Sequence, residues 1–92
     1  MIDNTERLKK IRQLLEESFT PDALEIIDES HKHAGHAGAK SGKGHFDVMI
    51  VANAFAGQNL LQRHRMVYEA LGDMMLTDIH ALSISAHSPD EI

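Results

Sequence analysis

The 92-residue sequence has no cysteine, no tryptophan, one tyrosine, three phenylalanines and two prolines. Without cysteine there is no disulfide, and no thiolate of the chain's own to serve as nucleophile, zinc ligand or cluster ligand. No apolar run approaches the roughly 20 residues that span a bilayer. The opening Met1-Ile2-Asp3-Asn4-Thr5-Glu6 lacks both the basic and the apolar segment of a secretion signal. The expectation is a cytoplasmic protein that makes no membrane contact. An excess of positive charge is missing too. The net charge of −5 argues against strong non-specific nucleic-acid binding, which needs Lys and Arg to neutralise phosphates. A local basic surface is still available from Lys32, Lys40 and Lys43 in one segment and from Arg63 and Arg65 in another.

Hydrophobic residues at 42% and charged residues at 25% are globular values, and the length suits a single domain covering residues 1–92. A chain this short buries only roughly 60–65% of its unfolded surface, which favours a surface or interface function over a deep active site. The strongest bias is seven histidines. His31, His33, His36, His45 and His64 lie in the middle of the chain, and His80 and His87 come late.

The spacing predicts a helix over about Thr5 to Ser18, with Asp3 and Glu6 as a capping box and Leu8, Ile11, Leu14, Leu15 and Phe19 as its buried stripe. Arg7, Lys9, Lys10, Glu16 and Glu17 fall on its outer face, and Pro21 stops it. Ala23 to Glu29 reads as a strand. Ser30 to Gly44 is a mobile loop rich in Gly, His, Ala and Lys, and His45 to Ala52 is a strand with Phe46, Val48 and Ile50 on one face. A turn follows over Asn53 to Gln58. From Asn59 onward Leu60, His64, Val67 and Leu71 define one helical face, on which His64 reads as a half-buried packing residue. Arg63 and Arg65 point off that stripe, suited to an anion or an acidic partner or simply to solvent. Gly72 breaks the helix before a last turn over Asp73 to Leu76. Ile79 to Ser85 forms a third strand, with His80, Leu82 and Ile84 on one side. Ser88-Pro89-Asp90-Glu91 resembles a helix start. The order α-β-β-α-α-β predicts a mixed three-stranded sheet with helices on one face, an α+β fold.

Most catalytic patterns fail on inspection. Gly35-His36-Ala37-Gly38 has the GXXG form of KH domains, but it lies between two strands where those domains need two helices. Gly38-Ala39-Lys40-Ser41-Gly42-Lys43 is one residue short of a phosphate-binding loop and carries Gly44 where a magnesium-binding hydroxyl belongs. No nucleophile elbow places a serine against a base. Neutral imidazole is a good ligand for borderline metals, so several histidines in a loop, with one more on a strand, suggest metal binding.

Several strings taken together resemble one family. They are Asp28-Glu29-Ser30-His31-Lys32-His33, Gly44-His45-Phe46, Phe55-Ala56-Gly57, Arg63-His64-Arg65-Met66-Val67-Tyr68 with Leu71, and Ile79-His80-Ala81-Leu82. Over about Leu8 to Glu91 the chain resembles the BolA family. That resemblance implies a fold similar to class II KH domains. It also implies a non-enzymatic role in which the protein joins a monothiol glutaredoxin and shares a glutathione-dependent [2Fe–2S] cluster, with no cofactor when isolated. His80 matches the family's histidine ligand. The second ligand comes from the loop, where His33, His36 and His45 all remain candidates. Histidine replaces thiolate on one iron in Rieske centres, so a chain without cysteine can share a cluster it cannot hold alone. The alternative is a KH-like nucleic-acid-binding transcriptional regulator, for which DNA is the partner and Arg63, His64, Arg65, Lys40 and Lys43 are the contacts. A module binding Zn²⁺ or Ni²⁺ unaided is a third reading. When free, the protein is expected to be a monomer or a weak homodimer.

Overall fold

The computed structural model describes residues 4–29 and 44–92. The expectations for the loop from Ser30 onward, for Asp3 as a cap, and for His33, His36, Lys40 and Lys43 lie outside the described residues. Gly44, read as the end of the loop, is instead the first residue of a strand.

Helix α1, Asn4–Phe19, buries Ile11 and Leu15 completely and half-buries Leu8, Leu14 and Phe19 against the same core, as the apolar spacing predicts. The chain leaves this helix through Thr20, which takes the left-handed region at φ 45° just before Pro21. Thr20 N–H still donates to the Glu16 carbonyl (3.0 Å). Arg7 departs from expectation. It is buried on the inner side of α1, because its guanidinium has a carboxylate to meet there: Nε donates to Asp78 Oδ2 at 3.1 Å and Nη1 to Asn4 Oδ1 at 3.0 Å.

Strands β1 (Ala23–Asp28), β2 (Gly44–Val51) and β3 (Ile79–His87) form one sheet in the order β1-β2-β3. β1 is antiparallel to β2 and β3 is parallel to it, the parallel step being made through the helical crossover. Side-chain alternation then sorts the faces. Phe46, Val48 and Ile50 of β2, with their partners Leu24 and Ile26 of β1 and Leu82, Ile84 and Ala86 of β3, face the helices and belong to the core. Glu25, Ile27, Ser83 and Ser85 alternate with them and are exposed on the other face.

The crossover begins with a 3-10 turn, Asn53–Phe55, whose Phe55 ring is fully buried with its centroid 5.0 Å from that of Phe19. Helix α2, Leu60–Leu71, starts in a reciprocal cap. Asn59 accepts from the Gln62 amide, and Gln62 Oε1 accepts from the Asn59 amide, both at 2.8 Å. It stops at Gly72, φ 55°, and α3, Met74–Thr77, adds one turn before β3. Val67 and Leu71 of α2 are buried and His64 is half-buried, as expected, whereas Leu60 at the first turn is exposed and Arg63 takes a buried place on the inner side. A final 3-10 turn, Pro89–Glu91, follows the cap at Ser88.

Gly44 has no space for a side chain, since a Cβ there would come within 2.5 Å of Phe46 Cζ, and the Phe46 ring is itself buried. Gly44→Ala should therefore cost about 2 kcal/mol through overpacking. The expected result is a lower urea midpoint at unchanged slope, and a midpoint equal to that of the parent would contradict the packing described.

Candidate metal-ligand site

Antiparallel β1 ends, and parallel β2 and β3 begin, at the same edge of the sheet. Backbone hydrogen bonds close this end: Glu29 N–H donates to the His45 carbonyl and Gly44 N–H to the Asp78 carbonyl, each at 2.8 Å. Glu29 and Gly44, which flank the His- and Lys-rich segment in sequence, thus both lie at the start of β2, next to the start of β3.

The register slips where β2 and β3 begin. Gly44 pairs with Ile79 and His45 with Ala81, which leaves His80 as an extra residue on β3. A bulge of this kind re-aims side chains. Ile79 is buried, His80 and Ala81 are exposed, and only from Leu82 onward does the strand resume its alternation toward the core. The expectation that His80 shares a face with Leu82 and Ile84 is therefore corrected: the extra residue turns His80 out to solvent. Its ring lies beside that of His45, with centroids 5.0 Å apart and planes inclined by 55°. His45 itself is 6% exposed. One accessible imidazole and one enclosed imidazole thus stand side by side, and the accessible one, His80, presents a nitrogen donor of the kind that suits a borderline metal. Among the described residues no group of three or more metal-ligating side chains forms, so this pair does not make a complete metal site.

The corner that carries the bulge is rich in hydrogen bonds. Asp78 accepts from Thr77 Oγ1 and from Arg7 Nε, and its own amide donates to the Met74 carbonyl (2.9 Å). The hydrogen bond from Thr77, followed by the interactions with Arg7, holds the Asp78 carboxyl below the usual range despite its desolvation.

Arg63, His64 and Arg65 lie elsewhere. Arg63, expected to point outward toward an anion or partner, is only 9% exposed and fully engaged within the fold. Its Nε donates to the Gln58 carbonyl (2.9 Å), Nη1 to the Ala86 carbonyl (2.9 Å) and to Glu91 Oε1 (2.6 Å), and Nη2 to Glu91 Oε2 (2.8 Å). This is a correction with a clear cause. The two-pronged carboxylate and two carbonyls satisfy the guanidinium inside, leaving Arg65 as the exposed cation of the motif. His64 is half-buried, as expected, and its Nε2 is enclosed without a hydrogen-bond partner among the described residues. Ala86 lies six residues from His80, about 20 Å along the strand, so the motif around Arg63 and the histidine pair mark opposite ends of β3. Neither the Arg7–Asp78 pair nor the Arg63–Glu91 pair has a local sequence signal. The one legible hint at the second is the Ser88-to-Glu91 cap, which fixes the carboxylate that Arg63 grips.

Residues 15–91 match the family model described as BolA-like protein. The BolA domain of SufE1 from Arabidopsis thaliana is 42% identical, with a TM-score of 0.83 over 94% of this chain and 95% of that one. BolA1 from the same plant is 42% identical, with a TM-score of 0.81 over 100% and 99%. The DNA-binding transcriptional regulator BolA of Escherichia coli is 37% identical over 90% of this chain and 76% of its own length. The chain spans 24% of the full-length SufE-like protein 1 and 55% of the full-length BOLA1 of Arabidopsis.

The Arg63 guanidinium, followed by the Ser88 amide, lowers the Glu91 carboxyl from its ordinary 4.5 to about 2. A carboxyl depressed on folding stabilises the folded state above its unfolded value and loses that contribution as pH falls through the folded one. Glu91→Gln should accordingly melt at a lower temperature than the parent at neutral pH. The gap between the two should narrow below about pH 4.5 and vanish near pH 2 in thermal melts recorded by circular dichroism. A gap independent of pH would exclude the ion pair as its source.

Proposed function

The chain belongs to the BolA-like family, and on that footing we propose that it is a non-enzymatic adaptor in iron–sulfur cluster trafficking, which pairs with a monothiol glutaredoxin and lends histidine to a shared, glutathione-dependent [2Fe–2S] cluster. The observation that carries this reading is the His80 imidazole turned outward on a bulge, 5.0 Å from that of His45, at the sheet end where the residues flanking the histidine-rich segment lie. His80 would supply one nitrogen donor, and His33, His36 or His45 the second. With no cysteine in the chain, every thiolate must come from the partner and from glutathione. The cluster is cargo in this role, an iron–sulfur unit to be passed on. Imidazole must be neutral to bind, so acid should loosen the chain's hold on it. The bulged sheet end would present the exposed His80 to an incoming partner, and the exposed Arg65 offers a cation on a separate surface.

A second reading, a nucleic-acid-binding regulator, is favoured by the name of the Escherichia coli relative. Burial of Arg63 subtracts one of its contacts, leaving Arg65, with Lys40 and Lys43 outside the described residues and His64 half-buried. The net charge of −5 also weighs against it. A salt titration of DNA binding tests it: weak affinity that falls steeply with salt and does not depend on sequence is expected, whereas sequence-selective binding at physiological salt would establish the regulator.

Coexpression with a monothiol glutaredoxin should yield a coloured heterodimer. Its visible absorption and circular dichroism should shift in His80→Ala, with cluster loss accelerated by roughly tenfold or more. If the spectrum is unchanged in His80→Ala, in His33→Ala/His36→Ala and in His45→Ala, histidine ligation is wrong.

A further inference from the structure

We propose that Arg7 is a positioning residue for His80, acting through Asp78. The inference rests on reading His80 as a ligand, but its geometry is independent of any cluster. A bulged residue falls outside the regular ladder, so its direction depends on the residues that flank it. On the N-terminal side that flank is Asp78, two residues before His80, where four elements meet. The Asp78 amide closes α3 onto Met74, its carbonyl accepts from Gly44 of β2, its chain continues into β3, and its carboxylate receives Arg7 from α1. Of these ties only the last is a long-range side-chain bond, spanning 71 positions in sequence.

The pair is built for fixity. The side chains of Arg7 and Asp78 are 9% and 14% exposed, and Arg7 is held from both sides by Asn4 Oδ1 and Asp78 Oδ2. Gly44 adds to this, because its missing side chain leaves room for the Phe46 ring and for Asn4 Oδ1 at the same corner. Arg7 thus holds the α3–β3 corner at a set place relative to β2, and with it the separation of His80 from His45. Lysine at this position would keep the charge but lose the planar fork that reaches Asn4 and Asp78 together. Partial recovery is expected from it, whereas a neutral side chain should give none.

An ion pair that merely adds stability would lower the unfolding midpoint and leave the ring geometry of the folded molecule unchanged. The test therefore reads that geometry in the whole isolated chain by NMR. In the parent, ring protons of His45 and His80 should show a mutual NOE. In Arg7→Met that NOE should be lost while the cross-strand NOEs between Ile26 and Val48 persist, and Arg7→Lys should restore part of it. In the heterodimer with monothiol glutaredoxin and glutathione, Arg7→Met should lose its colour roughly tenfold faster than the parent. Should Arg7→Met not fold, Asp78→Asn with Arg7→Lys carries the same comparison. A parental His45–His80 NOE in the folded neutral variant overturns the proposal. So does a loss that spreads equally to the Ile26–Val48 contacts. A parent that forms no coloured heterodimer overturns the cluster reading alone, and the ring contact still decides the role of Arg7.

Discussion

Strand β2 is hydrogen-bonded along both edges, and its register decides where the rest of the molecule falls. One of its faces, Phe46, Val48 and Ile50, is sealed by the helices. A slip of one residue would turn all three outward, so the core strongly specifies the pairing. With an antiparallel neighbour on one side and a parallel neighbour on the other, β1 must end where β2 and β3 begin. The convergence of Glu29, His45 and Asp78 is thus a product of topology, which places the residues flanking the His-rich segment beside the first residues of β3 before any specific contact is considered.

Two arginine–carboxylate pairs fix the opposite ends of this frame. Arg7 with Asp78 joins α1 to the start of β3, and Arg63 with Glu91 joins α2 to the turn that follows β3. Each guanidinium is drawn from a helix face that would otherwise carry only apolar groups, and each has further oxygen acceptors beyond its carboxylate. That matters because an enclosed cation is tolerated only when its donors are met. The third strand is consequently held at both tips, while its middle follows from the alternation of Leu82, Ile84 and Ala86 against β2.

The parts of the fold legible in the sequence are those governed by short-range periodicity. Leu8, Ile11, Leu14, Leu15 and Phe19 mark the inner side of α1, and Phe46, Val48 and Ile50 mark that of β2, because in both the apolar residues alone set the phase. On α2 the pattern holds for His64, Val67 and Leu71 but not for Leu60, which is apolar yet exposed at the first turn, nor for Arg63, which is charged yet buried. Its burial depends on acceptors 23 and 28 positions away, which no local pattern contains. His80 was singled out by resemblance to the BolA family, but its direction was not legible. Strict alternation from Ile79 places it with Leu82, and only the pairing of His45 with Ala81 reveals the inserted residue. Arg7 was hidden for the same reason as Arg63.

The bulge also bears on the kind of metal chemistry this surface suits. A histidine that alternated regularly with Leu82 and Ile84 would face the core, where a bound ion would be enclosed and slow to leave. Displaced by one residue, His80 is exposed, while its neighbour His45 stays enclosed and so limits approach to one side. Among the described residues this pair finds no third metal-ligating side chain. A single accessible imidazole holds a metal less tightly than a set completed by thiolates, and a proton can displace it. A surface with these properties suits ligation completed by another molecule.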